Sequence, residues 1–537
     1  MFRRGCLKLP HFSNISLLNK TFTNRSQNLY LPRLFNFSTL SSDMNIQLTE
    51  TETKLCNLLN EVALHLQKTR KDLSPVELRI TGGWVRDKLL GLDCNDIDVS
   101  VDTMTGHQFA THLNTYLLSN GVPQTQLSKI ELNPKQSQHL ETCTTKVFDT
   151  ELDFVNLRNE IYNSDSRIPV EITFGTPEQD SYRRDITINA LFFNIHTRQV
   201  EDFTQMGLND LREKLIRTPI PTSKSFRDDP LRIMRCIRFA SRFQFKLSEE
   251  IQTTINSEEV KSDFAHKVSR ERSGIELEKM LQGPYPFQSL SLIHSLGLYN
   301  IIFQAPPTID VSQIPPPTLG VHLSETANWL LNQNLFELPK IDNEERKCLF
   351  IATVLAPFKG LTIVEKKTRI VSAVQCVVRD SIKWNSADTD TITKLVNSSD
   401  SVTNILEPPT STWSRSALGM LVRSLGQKWR VTFLLALAWE LLPHYESIRS
   451  NTIADDISLI ISKYQRALEL ISEYELNECY QWKYLVDGKQ VAKILQLRPG
   501  PQVKVLLEHV MVWQLDNPSG TKEECIKYVT EELPKYV

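Results

Sequence analysis

The stretch Gly82-Gly83-Trp84-Val85-Arg86-Asp87, followed by Asp96-Ile97-Asp98, constrains what this chain can fold into more than any other. Residues 77–81 and 97–101 alternate apolar with polar or β-branched side chains and read as strands, with a short helix over 84–90 between them. Two glycines at a strand-to-helix junction let backbone approach a bulky ligand with no Cβ in the way. The free N–H groups and dipole of the following helix favour an anion there, above all a phosphate. Asp96 and Asp98 stand two apart on an extended segment, so their carboxylates project from one face. Paired hard oxygens on one face suit Mg²⁺ ions that hold a triphosphate and an attacking hydroxyl in line. Surface acids at that spacing are commonplace, and a Gly-Gly turn alone says little. In the order strand, Gly-Gly, helix, strand with D-x-D, they point to nucleotidyl transfer.

The rest of the chain divides by periodicity. Leu55, Leu58, Leu59, Val62 and Leu66 recur at helical spacing within 48–66. Further strands are expected at 151–157, 170–174 and 190–195, so the chain up to about residue 220 reads as a mixed α/β unit. Beyond it strand patterns nearly vanish, and 227–243, 269–281, 344–355, 416–442 and 455–474 read as helices. Proline-rich punctuation at 305–317 and 407–409 marks boundaries. The expected class is α+β, with a mixed-sheet head over 44–220 and helical segments over 221–305, 306–409 and 410–537.

Residues 1–42 carry Arg3, Arg4, Lys8, Lys20, Arg25 and Arg33 and no acid before Asp43. Basic, hydroxylated and acid-free is the composition of a mitochondrial presequence, here 1–43, although a disordered basic tail has the same look. Met44 follows at once, so a long form for mitochondria and a short form for cytosol and nucleus are expected. Lys and Arg total 61 against 63 Asp and Glu, so a polyanion partner must be held by local basic patches. The most apolar run, 431–442, contains Thr432 and Glu440 and falls short of the roughly 20 residues of a membrane span. Nine cysteines with no C-x-x-C pair argue against a zinc knuckle or disulfide framework and for a reducing compartment.

Further blocks follow in order. Arg183-Arg184-Asp185-Ile186-Thr187-Ile188-Asn189-Ala190 sets two guanidinium forks, suited to phosphate, beside an acid and an amide suited to ribose hydroxyls. Then come Asp202, Gly207, Asp210-Leu211 and Ile216-Arg217; Asp228-Asp229-Pro230-Leu231-Arg232; and Ser269-Arg270-Glu271-Arg272 with Glu276. The series resembles the motifs of class II tRNA nucleotidyltransferases of eukaryotic type, the CCA-adding enzymes, whose near relatives are bacterial poly(A) polymerases. Asp228 stands where that pattern has Glu. The resemblance is strong over 75–285 and weaker in the tail, at Asp487-Gly488 and Arg498-Pro499-Gly500-Pro501.

That resemblance implies a DNA polymerase beta-like head followed by a helical neck, body and tail. It implies two Mg²⁺ ions on Asp96 and Asp98, with Asp153 as third carboxylate and Glu171 as the other candidate. Gly82, Gly83 and Arg86 would lie along the triphosphate, and Arg184, Asp185 and Asn189 near ribose and phosphates. Asp229 and Arg232, taken as i and i+3 on one helix, would template the base of CTP or ATP, with Arg235 at the tRNA end. Arg242 is expected on a solvated face. Residues 162–169, with Asp165 and Arg167, resemble the flexible loop implicated in the change from C to A addition. The interval 102–150 exceeds what compact bacterial members carry and has no assigned role. Expected tRNA contacts are Arg415, Arg423, Lys428 and Arg430, then Lys489, Lys493, Arg498 and Lys504, while Trp413, Trp429 and Trp439 are expected in the core. The implied protein is a monomer that adds C, C and A to tRNA from CTP and ATP. A poly(A) polymerase of the same class, using ATP alone, is the alternative.

Overall fold

The computed structural model describes residues 45–536, apart from 73, 95, 131–141, 164–165, 334–340, 366–367, 408–409, 411–412, 453 and 499. The expected presequence 1–43, Met44, Asp165 and part of the long 102–150 interval lie outside the described residues.

Among the described residues, nine strands build the head's main sheet and ribbon: β1 (Leu78–Thr81), β2 (Ile97–Val101), β3 (Ser128–Ile130), β4 (Thr142–Val147), β5 (Thr150–Asn156), β6 (Arg158–Asn163), β7 (Ser166–Phe174), β8 (Phe192–Asn194) and β9 (Val200–Glu201). Seven form one sheet in the order β3-β4-β5-β2-β1-β8-β9, and β6 and β7 form a separate ribbon. β2 and β5 run parallel while β1 is antiparallel to both its neighbours, so the sheet is mixed as expected. Of the 102–150 interval, strands β3 and β4 build one edge of the sheet and helix Gly106–Ser119 packs into the core on its face.

Side-chain alternation decides what each face of this sheet does. Ile97, Val99 and Val101 of β2 enter a core with Leu59 and Val62 of helix Glu50–Thr69 and Phe109 of helix Gly106–Ser119. Each such side chain contributes about 1.5–3 kcal/mol by leaving water. Asp98, between two of them, is turned to the opposite face. The parallel register then pairs Asp98 with Asp153 of β5.

Past the head the chain is predominantly helical, with three departures from the expected pattern. The helix expected over 227–243 is two, Thr222–Asp228 and Arg232–Phe243. Pro230 cannot donate within a helix and its ring clashes with the preceding turn, and Asp229 lies extended at φ −144° and ψ 101°. Asp229 and Arg232 therefore do not share a helix face. Gly426, at φ 75°, likewise ends helix Arg415–Leu425 before Trp429–Leu441 begins. Two small β pairs, Leu215–Ile216 with Lys246–Leu247 and Thr362–Glu365 with Arg369–Ser372, are too short for alternation to reveal.

Residues expected as a loop at 162–169 belong partly to the β6–β7 ribbon, where Asn163 pairs with Ser166. Arg167 lies on β7. Trp413 and Trp429 are buried, and Trp439 is half-buried beneath Lys359. No helix among the described residues is long and apolar enough to cross a membrane.

Candidate active site

Asp96 immediately precedes β2, Asp98 lies on it, and Asp153 lies on its parallel neighbour β5. One carboxylate oxygen from each lies within 4.8 Å of the others. Thr144, opposite Asp153 on β4, donates its hydroxyl to that carboxylate. Burial first, then the charges of Asp96 and Asp153, push the Asp98 carboxyl up to about 6, while Arg184 and Arg158 pull it down. Three crowded hard-oxygen donors fit a divalent cation such as Mg²⁺, whose charge relieves their repulsion. Glu171 sits exposed on the ribbon strand β7 and is not in the group.

The Gly-Gly turn sets the next wall. Gly82 has φ 75°, and a Cβ there would stand 2.8 Å from Nη1 of Arg184. Arg86, on helix Gly83–Leu89, is expected along a triphosphate, but it is buried and already bonded. Its Nε donates to Asp87 at 2.8 Å, Nη1 donates to Asn189, and the guanidinium lies 4.8 Å from the Phe243 ring centroid. Its first job is to brace the turn.

Asp180, 1% exposed, organises the double arginine. It accepts from Nε of Arg183 at 2.8 Å and from Nε and Nη2 of Arg184 at 3.0 and 2.8 Å. Arg184 also donates to the Asn189 carbonyl at 3.0 Å and to Thr81. Asp185 accepts from Asn189 Nδ2 at 3.0 Å and from Arg235 Nε at 2.7 Å. Burial alone would raise the Asp185 pKa, yet Arg235, Asn189 and Arg232 hold it well below the usual range. Arg235 is thus tied to Asp185 rather than free at the mouth.

Asp229 accepts both terminal nitrogens of Arg272, and buried Arg232 donates to Ser225 Oγ at 2.9 Å and to the Arg183 carbonyl. Arg238 pairs with Glu276 at 2.6 Å, and Arg242 reaches Asp87 at 3.4 Å instead of standing on a purely solvated face. A cleft of about 550 Å³ joins these parts, with Gly82, Gly83, Asp98, Arg184, Asp229 and Arg232 in its lining.

The candidate tRNA contacts fall into two kinds. Arg415 donates to the Leu515 and Tyr474 carbonyls, and Arg423 donates to those of Cys479 at 2.6 Å and Trp482 at 2.8 Å. Lys428 faces Glu345 at 3.6 Å, and Arg430 reaches Asn477 at 3.2 Å. These four knit the helices together. Lys489, Lys493, Arg498 and Lys504 are exposed.

Residues 78–217 match the family described as "Poly A polymerase head domain", and residues 245–311 the one described as "Probable RNA and SrmB- binding site of polymerase A". The sequence is 38% identical to the mitochondrial CCA tRNA nucleotidyltransferase of Candida glabrata, over 92% of this chain and 97% of that one. Identity to the Saccharomyces cerevisiae protein of the same name is 37%, over 98% of this chain and all of the relative. The chain belongs to the class II tRNA nucleotidyltransferase family. Its fold agrees with that membership. The Thermotoga maritima CCA-adding enzyme complexed with tRNA matches with a TM-score of 0.56 at 19% identity, over 89% of this chain and 96% of that one. The Bacillus stearothermophilus enzyme in complex with CTP gives a TM-score of 0.56 at 18% identity, over 90% and 98%.

Three residues of this nucleotidyltransferase's cleft and its rim escaped the sequence reading as site residues. Asp180 stands three and four residues before Arg183 and Arg184, a helical spacing that could have flagged it. Arg272 lay inside a recognised block, but nothing in one sequence ties it to Asp229. Arg158 follows directly on the β5 strand pattern and carried no local signal.

Proposed function

We propose that this nucleotidyltransferase adds C, C and A in turn to the 3′ end of tRNA from CTP and ATP. The observation that carries the reading is a single cleft that brings Asp98, of the carboxylate cluster, to Asp229 and Arg232. Chemistry and base choice then act on one bound nucleotide. In each cycle the terminal 3′-hydroxyl oxygen bonds to the α-phosphorus, the bond to the β-phosphate oxygen breaks, pyrophosphate leaves and the hydroxyl proton passes to water. Asp96, Asp98 and Asp153 would hold Mg²⁺, two ions in this reading, which supplies Lewis acidity at the hydroxyl and offsets the triphosphate charge. Gly82 and Gly83 leave room for phosphates, and Arg184, fixed by Asp180, sets a positive charge beside them.

Base choice needs donors and acceptors still free. Arg272 takes one lone pair from each Asp229 oxygen, and the Leu231 N–H takes a second from Oδ1 at 3.2 Å. Oδ2 keeps one for the exocyclic amine of cytosine or adenine. Arg232 spends two of its five N–H donors and offers the rest to a ring nitrogen or carbonyl. Uracil and guanine present a carbonyl where Asp229 needs a donor. A site built around such a bond discriminates by roughly 10⁴ or more.

Residues 44–220 would carry the chemistry and 221–305 the template, with the helical remainder holding tRNA through phosphates, which serves many tRNAs alike. The acid-free start and the mitochondrial relatives support import of a long form, with a second form begun at Met44 for cytosol and nucleus. The poly(A) polymerase reading rests on the description of the head-domain match. One assay separates the two. The protein is incubated with tRNA lacking its last three nucleotides, with each nucleotide singly and all four together. Addition of two C and one A is expected; an open-ended A ladder would reject the reading.

A further inference from the structure

Every arginine lining the cleft ends on an acceptor described above, with one exception. Arg158 opens β6, just past the end of β5. Its backbone N–H donates to Asp180 at 3.1 Å, but its guanidinium makes no hydrogen bond or ion pair with any described residue. Its Nε is shut off from solvent with no partner. The acids nearby are already engaged: Asp180 serves Arg183 and Arg184, and Glu160 faces Arg183 at 3.2 Å. Burial and the like charges of Arg183 and Arg184 act against the Arg158 cation, and Glu160 and Asp180 offset them only in part. A half-buried guanidinium whose Nε is cut off from water with no acceptor is a costly arrangement for a ligand-free protein. It becomes favourable when an anion arrives. The planar fork matches phosphate oxygens, and Arg158 lines the same cleft as Asp98, Arg184, Asp229 and Arg232.

We infer that Arg158 is a substrate-binding residue whose guanidinium takes a phosphate of the nucleoside triphosphate or of the RNA 3′ end, in the cleft that Asp98 also lines. The inference rests on the reading that both substrates meet in this cleft. It also makes a claim that a structural arginine would contradict. Removing a cation that lacks a partner leaves the free protein as stable or more stable, while binding is lost.

The test uses the full chain, tRNA lacking its 3′ end, and CTP. Wild-type addition of C is the control for the reaction itself, and inorganic pyrophosphate is a second probe of phosphate binding that needs no turnover. Arg158→Met keeps the apolar stem and drops the charge; Arg158→Lys keeps the charge and drops the fork. For Arg158→Met the expected result is a melting temperature at or above wild type. With it goes a KM at least tenfold higher for CTP if the triphosphate is the partner, or for tRNA if the RNA phosphate is. Arg158→Lys should fall between, and pyrophosphate should stabilise wild type more than either variant if the partner is the triphosphate. A lower melting temperature with both KM values within twofold of wild type overturns the inference. If Arg158→Met does not fold, Arg158→Lys decides: a KM raised threefold or more at wild-type melting temperature supports it, and unchanged KM values overturn it. Should wild type fail to add C while pyrophosphate still stabilises it through Arg158, the function falls and the phosphate site stands.

Discussion

Arg272 grips Asp229 with both terminal nitrogens, at 3.1 and 2.8 Å, across 43 residues of sequence. The pair aims a carboxylate that Pro230 has removed from any helix, so its direction depends on Arg272 and on the Leu231 N–H. Arg272→Ala should therefore disturb base choice without touching the acids. A hydrogen bond to a charged group contributes about 1.5–3 kcal/mol, which corresponds to a fall in kcat/KM for CTP of roughly ten- to a hundredfold. The ratio of CTP to UTP incorporation should fall with it. Single-nucleotide incorporation on tRNA lacking its end measures both, and an unchanged ratio would show that Asp229 is oriented without its partner.

Gly82→Ala acts on the other wall. A Cβ at this position meets a left-handed backbone, at φ 75°, and lies 2.8 Å from Arg184 Nη1. Either the turn opens or Arg184 leaves Asp180 and Thr81. The expected result is a stability loss of about 1–3 kcal/mol in urea, from backbone strain, and a raised KM for both CTP and ATP. Gly83→Ala is milder, because the nearest side-chain atom, Arg86 Nη2, is 3.5 Å from the added carbon.

How far the sequence speaks depends on the range of the interaction. Strand β2 is placed to the residue, because apolar Ile97, Val99 and Val101 alternate with Asp98 and a one-residue slip would bury the acid. The resemblance implied a third carboxylate, with Asp153 on an alternating strand ahead of Glu171; the parallel register of β2 with β5, a long-range fact, puts Asp153 in the cluster. Asp229 was misplaced because a run of helical periodicity hid Pro230, whose local rule should have prevailed. Arg415 and Arg423 illustrate the general limit. A basic residue reads as surface until the carbonyls that absorb its donors are known.

Asp98 makes stability depend on pH in a direction opposite to most carboxylates. Its pKa is raised from 3.8 to about 6, by burial first and then by Asp96 and Asp153. Between those values the folded state holds more protons than the unfolded one, so stability falls as pH rises through this window. The loss is complete above about pH 6 and amounts to roughly 2–3 kcal/mol before screening. Asp98→Asn should raise the melting temperature of metal-free protein at pH 7.5 and leave it unchanged near pH 3.5. Mg²⁺ should narrow the difference at pH 7.5 by stabilising wild type, and half-maximal activity should need more Mg²⁺ as pH drops below 6. Thermal melts with and without chelator read the first two effects. A metal-free Asp98→Asn protein that melts below wild type at pH 7.5 contradicts the burial argument.

The tail offers a test that separates holding the fold from holding RNA. Arg423 gives Nη1 to the carbonyls of Cys479 and Trp482, at 2.6 and 2.8 Å, and so ties helix Arg415–Leu425 to the segment behind it. Arg423→Ala strands two carbonyls and should cost about 2 kcal/mol of stability in urea. The affinity of the folded fraction for tRNA should remain unchanged. Lys493 and Arg498 stand exposed, so reversing both to Glu should leave the unfolding midpoint where it was. If phosphates pass over them, affinity drops, and the slope of log affinity against log salt shrinks by about one for each contact removed. Filter binding across a salt series reads that slope directly. A slope unchanged in the double reversal would direct the tRNA to a different face of the helical half.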